Sequence, residues 1–159
     1  MTRLLACLLL SLAAAAAAAA PPRAFDENTL ADLRRQLRGS PFILALWSVH
    51  CAPCREELPR LRDLARRYPA VPVVFVAADP PEAHGAVERM WTALAMGETP
   101  GWAFAHDYLE RLRWHIDPDW YGELPRTYFH DARHEARAHS GVIDHQSTAR
   151  WMSAVSPAP

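Results

Sequence analysis

Residues 42–58 read FILALWSVHCAPCREEL, and two secondary-structure patterns meet inside this segment. Its first six residues form a continuous apolar run, which is typical of a strand that is buried on both faces. From Leu58 onwards, apolar residues recur at helical spacing until Pro69 ends the pattern. The two cysteines, Cys51 and Cys54, therefore lie at a predicted junction between a strand and a helix.

Alternating helices and strands are predicted on both sides of this segment. A short helix precedes it, with leucines at helical spacing before Gly39, and a second buried strand follows at residues 71–78. Pro80 and Pro81 then open a helix over residues 82–96. This β-α-β-α order favours parallel neighbouring strands and an α/β fold. In the 82–96 helix, Ala83, Met90, Trp91 and Leu94 are available for burial.

The C-terminal third of the sequence predicts a hairpin followed by a helix. Residues 126–130 and 135–140 are predicted strands joined by a turn, and Gly141 ends the second strand. A helix over residues 147–154 closes the chain. Weaker patterns between the two halves predict a short strand at 102–105 and a short helix at 108–114.

The composition is that of one globular domain. The chain has 159 residues, of which 50% are hydrophobic and 22% are charged, enough for a single core. The formal net charge is −1 at pH 7, so no broad electrostatic attraction to nucleic acid is implied. We therefore expect no nucleic-acid partner.

Residues 1–20 are typical of a secretory signal peptide, and residues 21–159 form the predicted globular domain. A single arginine is followed by an apolar stretch and an alanine run. We expect cleavage within that run and location in the periplasm. The alternative is an uncleaved membrane anchor, although the stretch is short against the roughly 20 apolar residues of a spanning helix. Because Cys7 falls in this segment, the mature domain carries only Cys51 and Cys54.

The spacing of the two cysteines favours redox chemistry over a structural role. Two cysteines three residues apart cannot join distant parts of a fold. A thiol attacks as the thiolate, which the free N–H groups at a helix start stabilise, so Cys51 is the candidate nucleophile. Cys54, one turn further in, is the candidate resolving thiol. Pro53 fits the first turn of the helix, because its missing N–H has no helical partner there.

Two separated segments resemble the TlpA/ResA branch of the thioredoxin-like proteins. Residues 46–59 match the CxxCxxExP pattern of its active-site block, and residues 124–129, which read LPRTYF, match its cis-proline segment. Gly141 matches the glycine that follows the next hairpin. The resemblance extends over roughly residues 26–155 and implies a thioredoxin-like α/β fold, with a central mixed β-sheet flanked by helices.

The resemblance implies catalytic roles for Cys51, Cys54, Glu57 and Pro125. Glu57 would move protons to or from Cys54, whereas the alternative is a solvated carboxylate near the helix start. Pro125 would be a cis-proline facing the disulfide, with the backbone around Leu124 pairing with an extended substrate. The alternative is an ordinary trans proline that begins an edge strand.

Several residues depart from the family pattern. His50 stands where the family usually has Trp, and as a cation it would stabilise the thiolate of Cys51 and make the disulfide more oxidising. The alternative for His50 is an exposed loop histidine. Ala45 lies where thioredoxins bury an aspartate, which leaves Glu57 as the candidate for proton relay.

Arg126 replaces the small polar residue that commonly follows the cis-proline. Together with Trp120 and Tyr121 it is a candidate for partner selection, and the alternative for both aromatic residues is a place in the core. The predicted substrate-binding residues are His50, Pro53, Leu124, Arg126, Trp120 and Tyr121.

The predicted function is thiol-disulfide exchange with cysteine-bearing protein substrates, with the Cys51–Cys54 disulfide as redox centre and no further cofactor. The resemblance implies a reductant that prepares apocytochrome c or a copper-site protein. A membrane electron donor of the DsbD/CcdA type would recharge it. Ala52 and Pro53 between the cysteines agree with this direction, whereas His50 favours an oxidant.

A copper-binding chaperone is the alternative function, using the CxxC pair and C-terminal histidines. A zinc site is disfavoured, because no second CxxC or well-spaced histidine pair lies near the first. Histidines scattered over the surface explain the C-terminal group better than a metal site does. That group consists of His130, His134, His139 and His145.

Overall fold

The computed structural model describes residues 21–97 and 101–156. The predicted signal peptide at residues 1–20 lies outside the described residues. None of the helices in the described part has the length and apolar character that crossing a membrane requires. The strands are β1 (Arg23–Phe25), β2 (Phe42–Trp47), β3 (Val73–Ala77), β4 (Trp102–Phe104), β5 (Arg126–His130) and β6 (Ala136–Ser140). The helices are α1 (Thr29–Gln36), α2 (Cys54–Arg67), α3 (His84–Ala93), α4 (Leu109–Ile116) and α5 (His145–Val155).

The strands form one mixed sheet in the order β1-β4-β3-β2-β5-β6. The first four strands in this order run parallel to one another, and α2 provides the crossover between β2 and β3. β5 pairs antiparallel with β2, and β6 pairs antiparallel with β5. The predicted fold class, a central mixed sheet flanked by helices, is confirmed.

β2 is buried along its whole length and separates two layers of helices. Successive side chains of a strand point to opposite faces of the sheet. One set of β2 side chains packs with α1 and α4, and the other packs with α2, α3 and α5. The unbroken apolar run follows from this burial on both faces. The first set is Phe42, Leu44 and Leu46, and the second set is Ile43, Ala45 and Trp47.

The helix predicted over residues 82–96 is shorter in the structure. A 3₁₀ turn at Pro81–Ala83 precedes α3, which ends at Ala93, and the buried residues of α3 are Val87 and Trp91. Among the residues available for burial, Trp91 is buried, and Met90 and Leu94 are half-buried and pack against the same apolar cluster. Ala83 lies in the 3₁₀ turn and is half-buried.

The sheet brings the two predicted site segments to one edge. Leu46, near the C-terminal end of β2, lies opposite Arg126, the first residue of β5. Because the two strands are antiparallel, the loop after β2 and the segment before β5 leave the sheet at the same edge. The loop carries Cys51 and the segment carries Pro125.

Candidate active site

Cys51 and Cys54 form a disulfide where α2 begins. Their Cα atoms are 5.3 Å apart, within the usual range for a disulfide. Cys51 retains 9% of its accessible surface, whereas Cys54 retains none. Ala52 and Pro53, between them, are exposed. The difference in exposure favours Cys51 as the sulfur that an approaching partner contacts.

The start of α2 directs a backbone donor at Cys51. The N–H of Cys54 donates to Sγ of Cys51 at 3.2 Å. No side chain caps this end of the helix, and the N–H groups of Arg55 and Glu56 donate to the carbonyls of Ala52 and Pro53. The N–H of Cys54 is therefore the first-turn donor that faces Cys51. When the disulfide is reduced, this donor and the helix dipole stabilise a thiolate on Cys51.

Glu57 is buried one turn beyond Cys54, on the same face of α2. Only 2% of Glu57 is exposed, so the alternative of a solvated carboxylate does not hold. Oε2 accepts a hydrogen bond from the N–H of Ile143 at 2.9 Å, and Oε1 accepts one from the hydroxyl of Thr127 at 3.4 Å. These contacts hold the carboxyl between α2, β5 and the segment after β6.

Burial raises the pKa of the Glu57 carboxyl above its usual value. The hydrogen bonds from Ile143 and Thr127 act in the opposite direction without reversing the shift. The carboxyl therefore exchanges its proton at a higher pH than an exposed glutamate does. A buried acid of this kind beside a redox cysteine is suited to proton transfer.

The peptide bond between Leu124 and Pro125 is cis, and Pro125 is buried. Leu124 packs against the apolar cluster that contains Cys51 and Cys54. The carbonyl of Pro125 accepts a hydrogen bond from the N–H of Gly141 at 2.8 Å. Gly141 has a φ of +88°, a conformation that favours glycine. The segment before β5 therefore lies against the disulfide.

The guanidinium of Arg126 is engaged within the protein. Its Nη2 donates to Asp117 at 2.8 Å, its Nη1 to Glu123 at 3.0 Å and its Nε to the hydroxyl of Tyr128 at 3.1 Å. Only 12% of the side chain is exposed. Arg126 thus links the 117–123 loop to β5, and its guanidinium hydrogen bonds are made within the protein.

The other predicted substrate-binding residues differ in exposure. His50 and Pro53 are exposed beside the disulfide, and Leu124 is half-buried. Tyr121 is 88% exposed. Trp120 is buried in the core with its Nε1–H bonded to the carbonyl of Glu123, so its ring offers no surface to a partner.

The C-terminal histidines have separate partners. His130 is buried and stacks on Phe42 with the ring centroids 4.2 Å apart, and His134 lies 3.0 Å from the carbonyl of Leu37. His139 lies 3.1 Å from the carbonyl of Val142. In residues 21–97 and 101–156, no group of three or more His, Cys, Asp or Glu side chains could hold a metal ion.

Sequence reasoning missed Asp79, which is buried beside the loop that leads to Cys51. The available signal was its position: an acidic residue directly after an apolar parallel strand lies at the edge where the neighbouring strand also ends.

The sequence profile of the AhpC/TSA family matches residues 13–152. The chain belongs to the AhpC/TSA family. Comparison with curated protein sequences finds no significant match. AhpC/TSA membership, together with the CxxC disulfide at the start of α2, makes the chain a thioredoxin-like thiol-disulfide oxidoreductase.

Solved structures show the same fold as this AhpC/TSA protein. A secreted disulfide oxidoreductase of Mycobacterium tuberculosis, homologous to Escherichia coli DsbE, is 20% identical with a TM-score of 0.60, over 76% of this chain and 85% of that chain. A thioredoxin-family thiol:disulfide interchange protein from Chlorobium tepidum is 19% identical with a TM-score of 0.62, over 78% and 85%. StoA from Bacillus subtilis is 18% identical with a TM-score of 0.51, over 72% and 83%. The predicted thioredoxin-family resemblance is confirmed.

Proposed function

We propose that this protein is an exported reductant of protein disulfides, acting through Cys51 and Cys54. The observation that carries the proposal is the arrangement of the pair. Cys51 retains 9% of its accessible surface, Cys54 retains none, and the buried carboxyl of Glu57 lies one turn further along the helix. This arrangement suits two successive thiol-disulfide exchanges.

The proposed reaction begins with the dithiol form. The Cys51 thiolate attacks one sulfur of the partner's disulfide, whose S–S bond breaks as a mixed disulfide forms. The other partner sulfur leaves as a thiolate and takes up a proton. The Cys54 thiol then passes its proton to the Glu57 carboxylate and attacks the Cys51 sulfur, which releases the second partner thiolate. Two electrons move to the partner, and this protein retains the Cys51–Cys54 disulfide.

The proposed direction, location and partners rest on sequence features and on the relatives. Ala52 and Pro53 between the cysteines place no cation inside the CxxC, which supports a reductant. Residues 1–20 and the secreted Mycobacterium tuberculosis relative support export to the periplasm. The proposed substrates are apocytochrome c or a copper-site protein, and the proposed electron source is a membrane donor of the DsbD/CcdA type.

A mixed-disulfide trap tests the exchange mechanism. The Cys54→Ser variant, reduced and mixed with apocytochrome c whose haem-binding cysteines are oxidised, is expected to form a covalent complex that dithiothreitol releases. Cys51→Ser, the matched control, removes the attacking sulfur and is expected to form none. Absence of a complex with Cys54→Ser, or equal complexes with both variants, would contradict the mechanism with this substrate.

Equilibration of the wild-type protein with glutathione tests the direction of electron flow. A reductant is expected to have a potential near that of thioredoxin, about −270 mV. A value near that of DsbA, about −120 mV, would refute the reductant and leave the exchange mechanism in place.

A further inference from the structure

A buried carboxylate lies beside the loop that joins β2 to the disulfide. Asp79 follows β3 by two residues and is 2% exposed. The N–H of Ala78 donates to the carbonyl of Trp47 at 2.8 Å, which extends the pairing of β2 and β3 by one step. Since β2 and β3 are parallel, their C-terminal ends meet at one edge, and Asp79 reaches the residues that follow β2.

Asp79 accepts hydrogen bonds from the first residues of the loop after β2, and further hydrogen bonds within that loop extend to Cys51. Its Oδ1 accepts from the hydroxyl of Ser48 at 2.7 Å, and its Oδ2 accepts from the N–H of Val49 at 3.1 Å. The hydroxyl oxygen of Ser48 accepts from the N–H of His50 at 3.1 Å, and the carbonyl of Ser48 accepts from the N–H of Cys51 at 3.1 Å. Every backbone N–H from Val49 to Cys51 is therefore bonded within this loop or to Asp79.

Asp79 and the loop at residues 48–50 stabilise each other, because the loop supplies the hydrogen-bond donors that the buried carboxylate needs. Within the described part of the chain, Asp79 has no salt bridge, so hydrogen bonds from the loop compensate its burial. A change in the path of residues 48–50 would leave a buried carboxylate without donors. The loop is thus restricted to the conformation that presents Cys51 at the start of α2.

We infer that Asp79 is a positioning residue that holds Cys51, through Ser48 and Val49, where its sulfur bonds to Cys54. The effect favours the disulfide over the dithiol, because an ordered loop keeps the two sulfurs together and a nearby negative charge disfavours a thiolate. A more stable disulfide makes its dithiol a stronger reductant. The inference therefore deepens the proposed function and rests on it for its biological purpose.

The test is the equilibrium in which two glutathione molecules reduce the Cys51–Cys54 disulfide and become one glutathione disulfide. Asp79→Ala removes both acceptors, and the equilibrium constant for reduction is expected to rise about tenfold. Ser48→Ala keeps the carboxylate and removes the link to His50, and a rise of about threefold or more is expected. Asp79→Asn retains one acceptor, and the rise in its equilibrium constant is expected to lie between those of Ser48→Ala and Asp79→Ala.

A thermodynamic comparison separates positioning from ordinary structural support. Denaturant unfolding of the oxidised and the reduced protein is measured for each variant. Positioning predicts that the oxidised form loses more stability than the reduced form, whereas a purely structural role lowers both equally. Equal losses, with an unchanged glutathione equilibrium, would overturn the inference. Ser48→Ala decides the question if Asp79→Ala does not fold.

Thr29→Val is the matched control. Thr29 is a buried residue at the start of α1, where its hydroxyl makes two hydrogen bonds with Asp26. α1 packs on the sheet face opposite α2. Loss of the Thr29 hydroxyl is expected to lower stability and to leave the glutathione equilibrium constant within about twofold of wild type. The assay needs no protein partner, so failure of the apocytochrome trap and failure of this inference give distinguishable results.

Discussion

The backbone N–H of Ile143 donates a 2.9 Å hydrogen bond to the carboxyl of Glu57, which lies 86 residues earlier in the chain. This bond fixes the acid between α2 and the segment after β6. Because Ile143 and its neighbours also exclude solvent, the carboxyl is held in an apolar site where its charged form is disfavoured. The fold thereby keeps a proton acceptor one helical turn from the resolving cysteine.

Glu57→Gln is expected to slow the second exchange step. Gln has nearly the same shape and its carbonyl oxygen can still accept the hydrogen bond from Ile143, but the amide cannot accept the proton of Cys54. Loss of a general base lowers the rate of such a step by about 10²-fold or more. We therefore expect a slower release of glutathione from the mixed disulfide on Cys51. In wild type this rate falls as pH decreases through the raised pKa of Glu57, and the variant lacks that inflection. Stopped-flow measurement between pH 4 and pH 9 checks both expectations.

Glu56→Gln is the control for this experiment, because Glu56 is exposed on the same turn of the helix. It is expected to keep the wild-type rate and pH profile. A Glu57→Gln profile that overlays the wild-type profile would exclude the carboxyl from proton transfer.

Glu57→Gln is also expected to stabilise the protein at high pH. The folded-state pKa of Glu57 is raised, so the folded protein binds its proton more tightly than the unfolded chain does. The stability that this gives wild type is present below the unfolded pKa and is lost as pH rises through the folded pKa. The variant has no such loss, so its Tm at pH 8 is expected to exceed that of wild type by a few degrees. Calorimetry at pH 4 and pH 8 checks this, and a variant less stable than wild type at pH 8 would contradict it.

Local patterns were sufficient for the elements that carry the cysteines. The apolar run gave β2 with the bounds that the structure shows, Phe42–Trp47, because a strand buried on both faces has one pattern only. The strand at Arg126–His130 was predicted with the bounds that the structure shows. The helix was predicted to start at Cys51, whereas α2 begins at Cys54. In contrast, β1 is three residues long and pairs with β4, so nothing in its own sequence distinguishes it from a loop.

The polar surroundings of the site could not be predicted in the same way. Ser48 and Asp79 are 31 residues apart, and Arg126 and Asp117 are nine apart across a loop without repeating pattern. Such pairs depend on where the sheet brings distant segments together, and spacing along the sequence does not encode that. Arg126 illustrates the difficulty: a basic residue beside a predicted substrate loop suggested partner contact, whereas its charge is used inside the fold.

Acid is expected to destabilise the protein through His130. Burial, with a smaller contribution from the charge of Arg34, lowers the pKa of His130 to about 4. The folded state therefore favours the neutral ring, and the stability this provides is present above the unfolded value near 6.5 and is lost as pH falls through about 4. The loss attributable to this group is expected to reach about 3 kcal/mol.

His130→Phe is expected to remove most of that pH dependence, because phenylalanine keeps the stack on Phe42 and does not titrate. Urea unfolding at pH 7, 5.5 and 4 gives the comparison. His115→Phe, at an exposed position, is the control and is expected to lose stability as wild type does. The same slope in His130→Phe and wild type would show that other groups cause the acid sensitivity.

Arg126→Ala is expected to destabilise the protein by about 2 kcal/mol, because it removes the charged partner of Asp117, whose side chain is 20% exposed, and of Glu123, whose side chain is 44% exposed. Asp117 bears most of this cost. Burial acts to raise the pKa of Asp117, but hydrogen bonds from Asp119, Tyr128 and Arg126 hold that pKa below its usual value. Arg126→Lys keeps the charge without the planar fork and is expected to lose about half as much. Denaturant unfolding at pH 7 measures each change.

A double-mutant cycle and an exposed arginine identify the source of the effect. If an unpaired Asp117 causes the loss, Arg126→Ala combined with Asp117→Asn is less destabilised than the sum of the single variants, by about 1 kcal/mol. Arg133→Ala removes a side chain that is 76% exposed and pairs with surface acids, so it is expected to change stability by less than about 0.5 kcal/mol. Additive single variants, or equal losses from Arg126→Ala and Arg133→Ala, would mean that Arg126 stabilises the loop through packing alone and that its charge has no special partner.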